Sequence, residues 1–372
     1  MGRKLQLDWI LFAAVATLSL FGVLMVYSAS ALVAIKETNG ASQYVYVFKQ
    51  FGFTVAGLLL MLGATRFDYR WLRQGWIIAA LLLITIVMLA SVFSFAPVNG
   101  ARRWIKLASA SFQPSELAKP TLALFLAYFF AKRTETMKNF KFTFVPCAVV
   151  VSLLLALVFL EPDLGTAMVL AITFAVVYFA AGADLRHFAV AGATLLIGVL
   201  GALIFVPWRM KRMMAFLDPW ADPENSGYQV IQSLLAVGSG GVWGAGFANS
   251  EQKLYYLPFA HSDFIFAIIC EEFGLIGASL VLLGFGIILW RGARTALRVP
   301  DRFGKLLAVG LTTSVVVQAF FNMSVVIGLL PTKGIPLPFI SYGGSSVMVT
   351  LLSMGLLLNV SQHTETIEFD EK

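Results

Sequence analysis

The chain has 372 residues, 59% of them hydrophobic and 13% charged, with a formal net charge of +7. A soluble domain carries about 25% charged residues, so this composition excludes one and predicts an all-α, polytopic integral membrane protein. Nucleic acid is excluded as the partner of the positive charge, because the basic residues sit mainly in short loops, where membrane topology places them.

Apolar runs of roughly 17–25 residues predict about ten transmembrane spans, near 8–28, 47–65, 75–95, 115–131, 142–160, 165–182, 187–206, 263–290, 306–330 and 340–361. The first run, from about Leu7 to Tyr27, is too long for the core of a cleaved signal peptide, and more spans follow it. It reads as a membrane helix. With no terminal extension to speak of, residues 1–372 read as a single membrane domain, with one long loop, about 207–262, between the seventh and eighth spans. Cys147 and Cys270 fall in apolar runs, which argues against a disulfide framework or a metal knuckle. No Walker A or HExxH motif occurs, and the three His residues lie far apart.

Orientation follows from the basic residues. Sixteen of the 27 Lys and Arg fall on the side of the N-terminus and 11 on the other, which predicts both termini inside. The outer exceptions cluster: Arg102, Arg103, Lys106 and Lys119 in one group, Arg209, Lys211 and Arg212 in another. Positive charge held against the topological rule suits an anionic ligand, or contact with outer-leaflet lipid phosphates.

After the third span comes NGARRWIK at 99–106, then QPSELAKP at 113–120. Asn99-Gly100 marks a turn, and two guanidiniums beside Trp104 can grip a phosphate bidentately, as a Lys cannot. Pro114 suits a first helical turn. Glu116 and Lys119 then share one helical face, as a salt bridge or as part of a site. LEPDLGTA at 160–167 puts Glu161 and Asp163 at the outer end of the fifth span, to balance basic groups, hold a divalent cation or make a solvated turn.

In the long loop, Tyr228, Gln229, Gln232 and Ser233 could hydrogen-bond a sugar or belong to a helix lying on the membrane surface. The run GSGGVWGAG at 238–246 follows no predicted strand, so it is not a dinucleotide fingerprint; its glycines allow tight turns and close backbone approach. LPFAHSDFIF at 257–266 sets Asp263 at the outer mouth of the eighth span. Ser262 or Asp263 could cap that helix, or partial burial could tune Asp263 into a base. Beyond Gln318 and Asn322, PTKGIPLPFISYGGSS at 331–346 has too many prolines and glycines for one helix. It reads as an ordered re-entrant loop, tolerated at membrane depth where it packs in protein or lines a wet cavity. Lys333, Ser341, Tyr342, Ser345 and Ser346 would face that cavity.

These segments resemble the SEDS family (FtsW, RodA and SpoVE), on GARRWI, QPSELAK, EPDLGTA, GYQVIQSLLAVGSGGVWGAG, LPFAHSDFIFAIICEEFG and PTKGIPLPFISYGGSS, from VYSAS at 26–30 to the last span. NMSVVIGLLPTKGIPLPF and ALRVPDRFGKLLAVGLT resemble the division-type (FtsW) branch more than the elongation-type (RodA) one. Phe259 stands where many relatives carry Glu, so the chain lacks a carboxylate there. The resemblance implies a ten-helix peptidoglycan glycosyltransferase of the bacterial cytoplasmic membrane. It would polymerise lipid II on the outer face, at the division septum, with a class B penicillin-binding protein transpeptidase, other division or elongation proteins, and membrane lipids as partners.

Asp263, matching the family's essential aspartate, would be the catalytic base. Arg102, Arg103, Lys119 and Arg209 would meet the pyrophosphate, Glu116 would orient Lys119, and Gln229, Ser233, Lys333 and Ser341 would complete the substrate site. A divalent cation, Mg or Mn, could assist, with Asp163 as its candidate ligand. Transport of lipid II across the membrane is the rival reading, since ten helices with charged interior residues also describe a transporter. Against it, no two-fold repeat of the transporter kind is evident, and the candidate chemistry gathers at one face.

Overall fold

The computed structural model describes residues 7–97, 101–107, 110–184, 186–190, 192, 198, 201, 207–254 and 256–364, without the side chains at 107, 110 and 207–209. Among the described residues the regular structure is helical apart from one hairpin. The helices are α1 (Trp9–Glu37), α2 (Val45–Ala64), α3 (Gly75–Ser91), α4 (Pro114–Ala131), α5 (Val145–Leu160), α6 (Leu164–Ala180), α7 (Pro207–Leu217), α8 (Tyr228–Ser239), α9 (Ile265–Arg298), α10 (Arg302–Val326) and α11 (Gly344–Gln362). Strands β1 (Ile105–Leu107) and β2 (Ala110–Phe112) pair antiparallel, with Lys106 opposite Ser111.

Among the described residues seven helices are long and apolar enough to cross a membrane, and α6 is a shorter apolar helix beside them. α4 carries Glu116 and Lys119 and is less apolar, yet it is buried along nearly its whole length. Nine of the ten expected spans coincide with helices; most of the seventh, 187–206, lies outside the described residues, as does the Asn99-Gly100 turn. Local chemistry sets the starts. Asp8, Asp163 and Asp301 accept hydrogen bonds from the first turns of α1, α6 and α10, and Pro114 opens α4 where its missing N–H costs nothing.

α10 and α11 form the centre, with 72% and 78% of their apolar windows buried against 22% for α2 and α3. The outer helices instead turn side chains such as Leu59, Leu83 and Val149 outward, to lipid. Alternation of the helices gathers the segments 38–44, 92–97, 101–107, 110–113, 161–163, 207–254, 256–264 and 327–343 at one end of the bundle, where Asp263 lies.

Two sequence expectations change here. The long loop is not loop throughout, since it contains α7 and α8. The eighth span is not one continuous helix: α9 breaks at Gly274, whose φ of +62° is a left-handed conformation that side chains resist. Carbonyls of Glu271 and Glu272 accept from Ala245 and Gly246 at 2.9 and 3.0 Å, while Leu275 N–H donates to the Gly241 carbonyl at 2.9 Å. The glycine-rich run 238–246 therefore satisfies backbone groups that the break would orphan at membrane depth. It can do so because glycine stands at the close approach: a Cβ on Gly244 would sit 2.2 Å from the Glu272 carbonyl oxygen.

Candidate active site

Asp263 stands two residues before α9, partly buried, in a segment fixed mostly through its backbone. Asn322 of α10 donates its Nδ2 to the carbonyls of Asp263 and Ile335, each at 2.7 Å. One turn earlier, Gln318 donates to the Pro336 carbonyl at 2.9 Å. The proline-rich segment is the strap between them. Ser341 Oγ donates to the Ser262 carbonyl at 2.5 Å and accepts from Leu337 N–H at 2.7 Å, and Tyr342 N–H donates to the His261 carbonyl at 3.0 Å. Against this frame Gly334 faces the carboxylate, for a Cβ there would come 2.8 Å from Asp263 Oδ2.

The electrostatics are mixed. Burial raises the Asp263 carboxyl to about 6, opposed by the guanidinium of Arg103, reinforced by Asp163 and opposed again by Arg212. Arg103 is held by the turn between α5 and α6, donating Nε to the Glu161 carbonyl at 3.0 Å and Nη2 to that of Pro162. Arg212, on α7, reaches the Thr332 carbonyl at 3.4 Å. Lys333 contributes a further cation, its Nζ 2.9 Å from Met168 Sδ on α6. The Glu161 side chain is buried, and neither carboxyl oxygen has a hydrogen-bond partner among the described residues. Burial, then Asp163, push it up to about 9 against the pull of Arg103.

Other candidates fall elsewhere or are spent on structure. Ser233 is buried, and its hydroxyl donates to the Val326 carbonyl at 2.8 Å rather than facing a sugar. The Ser341 hydroxyl is likewise committed to the strap, so it does not face a cavity. Gln229 lies partly exposed on α8, and Arg102 is exposed, its Nη1 on the Phe93 carbonyl at 3.0 Å. Lys119 pairs with Glu116 at 2.7 Å inside the bundle and donates to Gln318, so it braces the residue under the strap. The side chain of Arg209 lies outside the described residues; Arg212, one turn on, is the α7 cation whose charge reaches Asp263. Neither Ser262 nor Asp263 caps α9, since its first turn takes no side-chain hydrogen bond.

A resident divalent cation does not fit the donors present. Among the described residues no three of Asp, Glu, His and Cys converge. Asp163 accepts at 3.1 Å from Thr166 N–H, at 2.9 Å from its hydroxyl and at 3.1 Å from Gln113.

What this arrangement can do is hold one carboxylate, partly dried, beside fixed cations: proton transfer next to a developing anionic leaving group. The pattern of the FTSW_RODA_SPOVE family, described as Cell cycle protein, matches residues 8–366. Stage V sporulation protein E of Bacillus subtilis is 39% identical over 366 residues, covering 97% of this chain and 99% of that one. A probable peptidoglycan glycosyltransferase FtsW of Geobacter metallireducens is 42% identical over 358 residues, covering 95% and 94%. Among solved structures, a chain from a peptidoglycan synthase complex that coordinates polymerization and crosslinking superposes with TM-score 0.79 at 31% identity, covering 96% and 98%. The rod shape determining protein RodA of Thermus thermophilus gives 0.70 at 28%, covering 98% and 100%.

Proposed function

The chain belongs to the FtsW/RodA/SpoVE family of cell cycle proteins, and from that premise we propose that it is a peptidoglycan glycosyltransferase polymerising lipid II for septal wall synthesis. The observation that carries the reading to a mechanism is Asp263, partly dried between Arg103 and Arg212 on a backbone fixed by Asn322 and the strap.

Asp263 takes the proton of the acceptor's N-acetylglucosamine 4-hydroxyl. That oxygen attacks C1 of N-acetylmuramic acid on the lipid-linked donor, inverting it, and undecaprenyl pyrophosphate departs with the bonding pair. A carboxyl raised to about 6 is mostly ionised at neutral pH yet more basic than an ordinary one, which is the compromise that general base catalysis favours. Arg103, Arg212 and Lys333 are the cations poised to meet negative charge growing on the pyrophosphate. A class B penicillin-binding protein is the crosslinking partner, and both termini lie in the cytoplasm, with Asp263 on the outer face.

The test is glycan-chain formation from lipid II by the purified protein and its Asp263→Asn variant. Asn keeps the shape but accepts no proton, so the rate should fall on the order of 10²–10⁴-fold with unchanged melting. Wild-type activity should decline as pH drops through about 6, where Asp263 becomes protonated. Near-normal polymerisation by a folded Asn variant would remove Asp263 from the chemistry.

A further inference from the structure

The end of the bundle opposite Asp263 carries a cavity of about 200 Å³ lined by Arg73, Tyr128, Ala131, Lys132, Arg302 and Phe303. Three elements meet there: the 3-10 turn Tyr69–Arg73 ahead of α3, the end of α4 and the start of α10. Its three cations make no salt bridge among the described residues. The nearby carboxylates are committed: Asp301 accepts from Tyr69 Oη and from Gly304 N–H, and Asp68 accepts from Arg70 N–H at 2.9 Å.

Arg302 is oriented by donating Nη2 to the Ala181 carbonyl at 2.8 Å, while its buried Nε has no hydrogen-bond partner among the described residues. Lys132 is held at the rim, its Nζ 2.8 Å from Tyr128 Oη and 4.5 Å from the ring centre. Phe303 and Ala131 add apolar wall. Trp71 and Trp76, 71% and 70% exposed, bracket Arg73 in the chain. Exposed tryptophans at a helix start mark the membrane–water interface, which puts the cavity at the depth of lipid headgroups.

We propose that this cavity binds the phosphate of an anionic phospholipid headgroup, gripped by Arg302 and Arg73, with Lys132 at the rim and the glycerol end against Phe303 and Ala131. Basic pockets between transmembrane helices are known to take such headgroups. The site is separate from Asp263 and stands whether or not the assignment of that residue does.

Native mass spectrometry of the full chain, released from detergent with either phosphatidylglycerol or phosphatidylcholine, reads the retained lipid directly. Phosphatidylglycerol should be retained preferentially, and the double variant Arg73→Gln/Lys132→Gln should weaken its retention by about tenfold or more. Lys138→Gln/Lys141→Gln, which removes the same charge from the same face outside the cavity, should leave it within about twofold. Should the double variant melt abnormally, Arg73→Gln alone carries the comparison, since that side chain is exposed. Equal retention of the two lipids, or an equal drop in both double variants, overturns the proposal. Competition by millimolar inorganic phosphate as effective as by phosphatidylglycerol itself would make a soluble anion the occupant and overturn the lipid assignment.

Discussion

At the scale of single residues, Gly334 and Glu161 are where the site is most sensitive. A methyl group on Gly334 would press within 2.8 Å of Asp263 Oδ2, and the flexible end of the carboxylate is what yields. Gly334→Ala should therefore lower polymerisation tenfold to about 10²-fold, the scale of a 1 Å misplacement, with melting unchanged; full activity would mean that Asp263 does not work from this position. Glu161 raises a different question, of pH. Its folded carboxyl holds a proton up to about 9, far above the ordinary value of about 4.3. The folded state thus binds more protons than the unfolded one between those values, and the stability it contributes at low pH is lost as pH rises through that window. Glu161→Gln keeps the neutral form, so its melting temperature should fall less between pH 5 and 8.5 than that of the parent. Parallel slopes would show that Glu161 is ionised in the fold.

Among elements, α10 is the beam on which the site hangs. Gln318 and Asn322 lie four apart, on one helical face, and hold Pro336, Ile335 and Asp263. Lys119 and Glu116 of α4 brace Gln318 from below. Breaking a buried pair by removing one partner costs about 3–5 kcal/mol. Glu116→Gln and Lys119→Met should then be strongly coupled in a double-mutant cycle of stability, and strictly additive losses would refute the bracing. Much of this was legible in the sequence: span positions from apolar runs, the strap from its prolines, Glu116 with Lys119 from their spacing. The hydroxyls were not. Ser233 and Ser341 look alike in sequence whether they face a sugar or a buried carbonyl, and only the fold shows that each meets a carbonyl. Arg212 stood in the same basic cluster as Arg209 and Lys211, and nothing in one dimension says which reaches an acid 51 positions later. The break in α9 had a faint signal, two adjacent glutamates and a glycine inside an apolar run.

For the whole molecule, the basic residues and the ends of the helices make one prediction together. With native Cys147 and Cys270 buried, single cysteines can report sidedness. Trp243→Cys, at a residue 82% exposed beside α8, should react with an impermeant maleimide in intact cells. Asn139→Cys, between α4 and α5, should react only after permeabilisation. The reverse pattern would invert the orientation and put Asp263 in the cytoplasm.

The break at Gly274 divides α9 into two unlike environments. Every residue from 265 to 272 is buried in protein, whereas Leu275, Leu280, Leu283 and Leu297 beyond it are each at least 59% exposed, toward lipid. The far piece nevertheless keeps a buried side, on which Phe285 stacks on Phe339 of the strap with ring centres 6.1 Å apart. Asp263 rides on the sheltered piece. A tilt that the bilayer imposes on the far piece would therefore reach the strap around Asp263 through that ring pair.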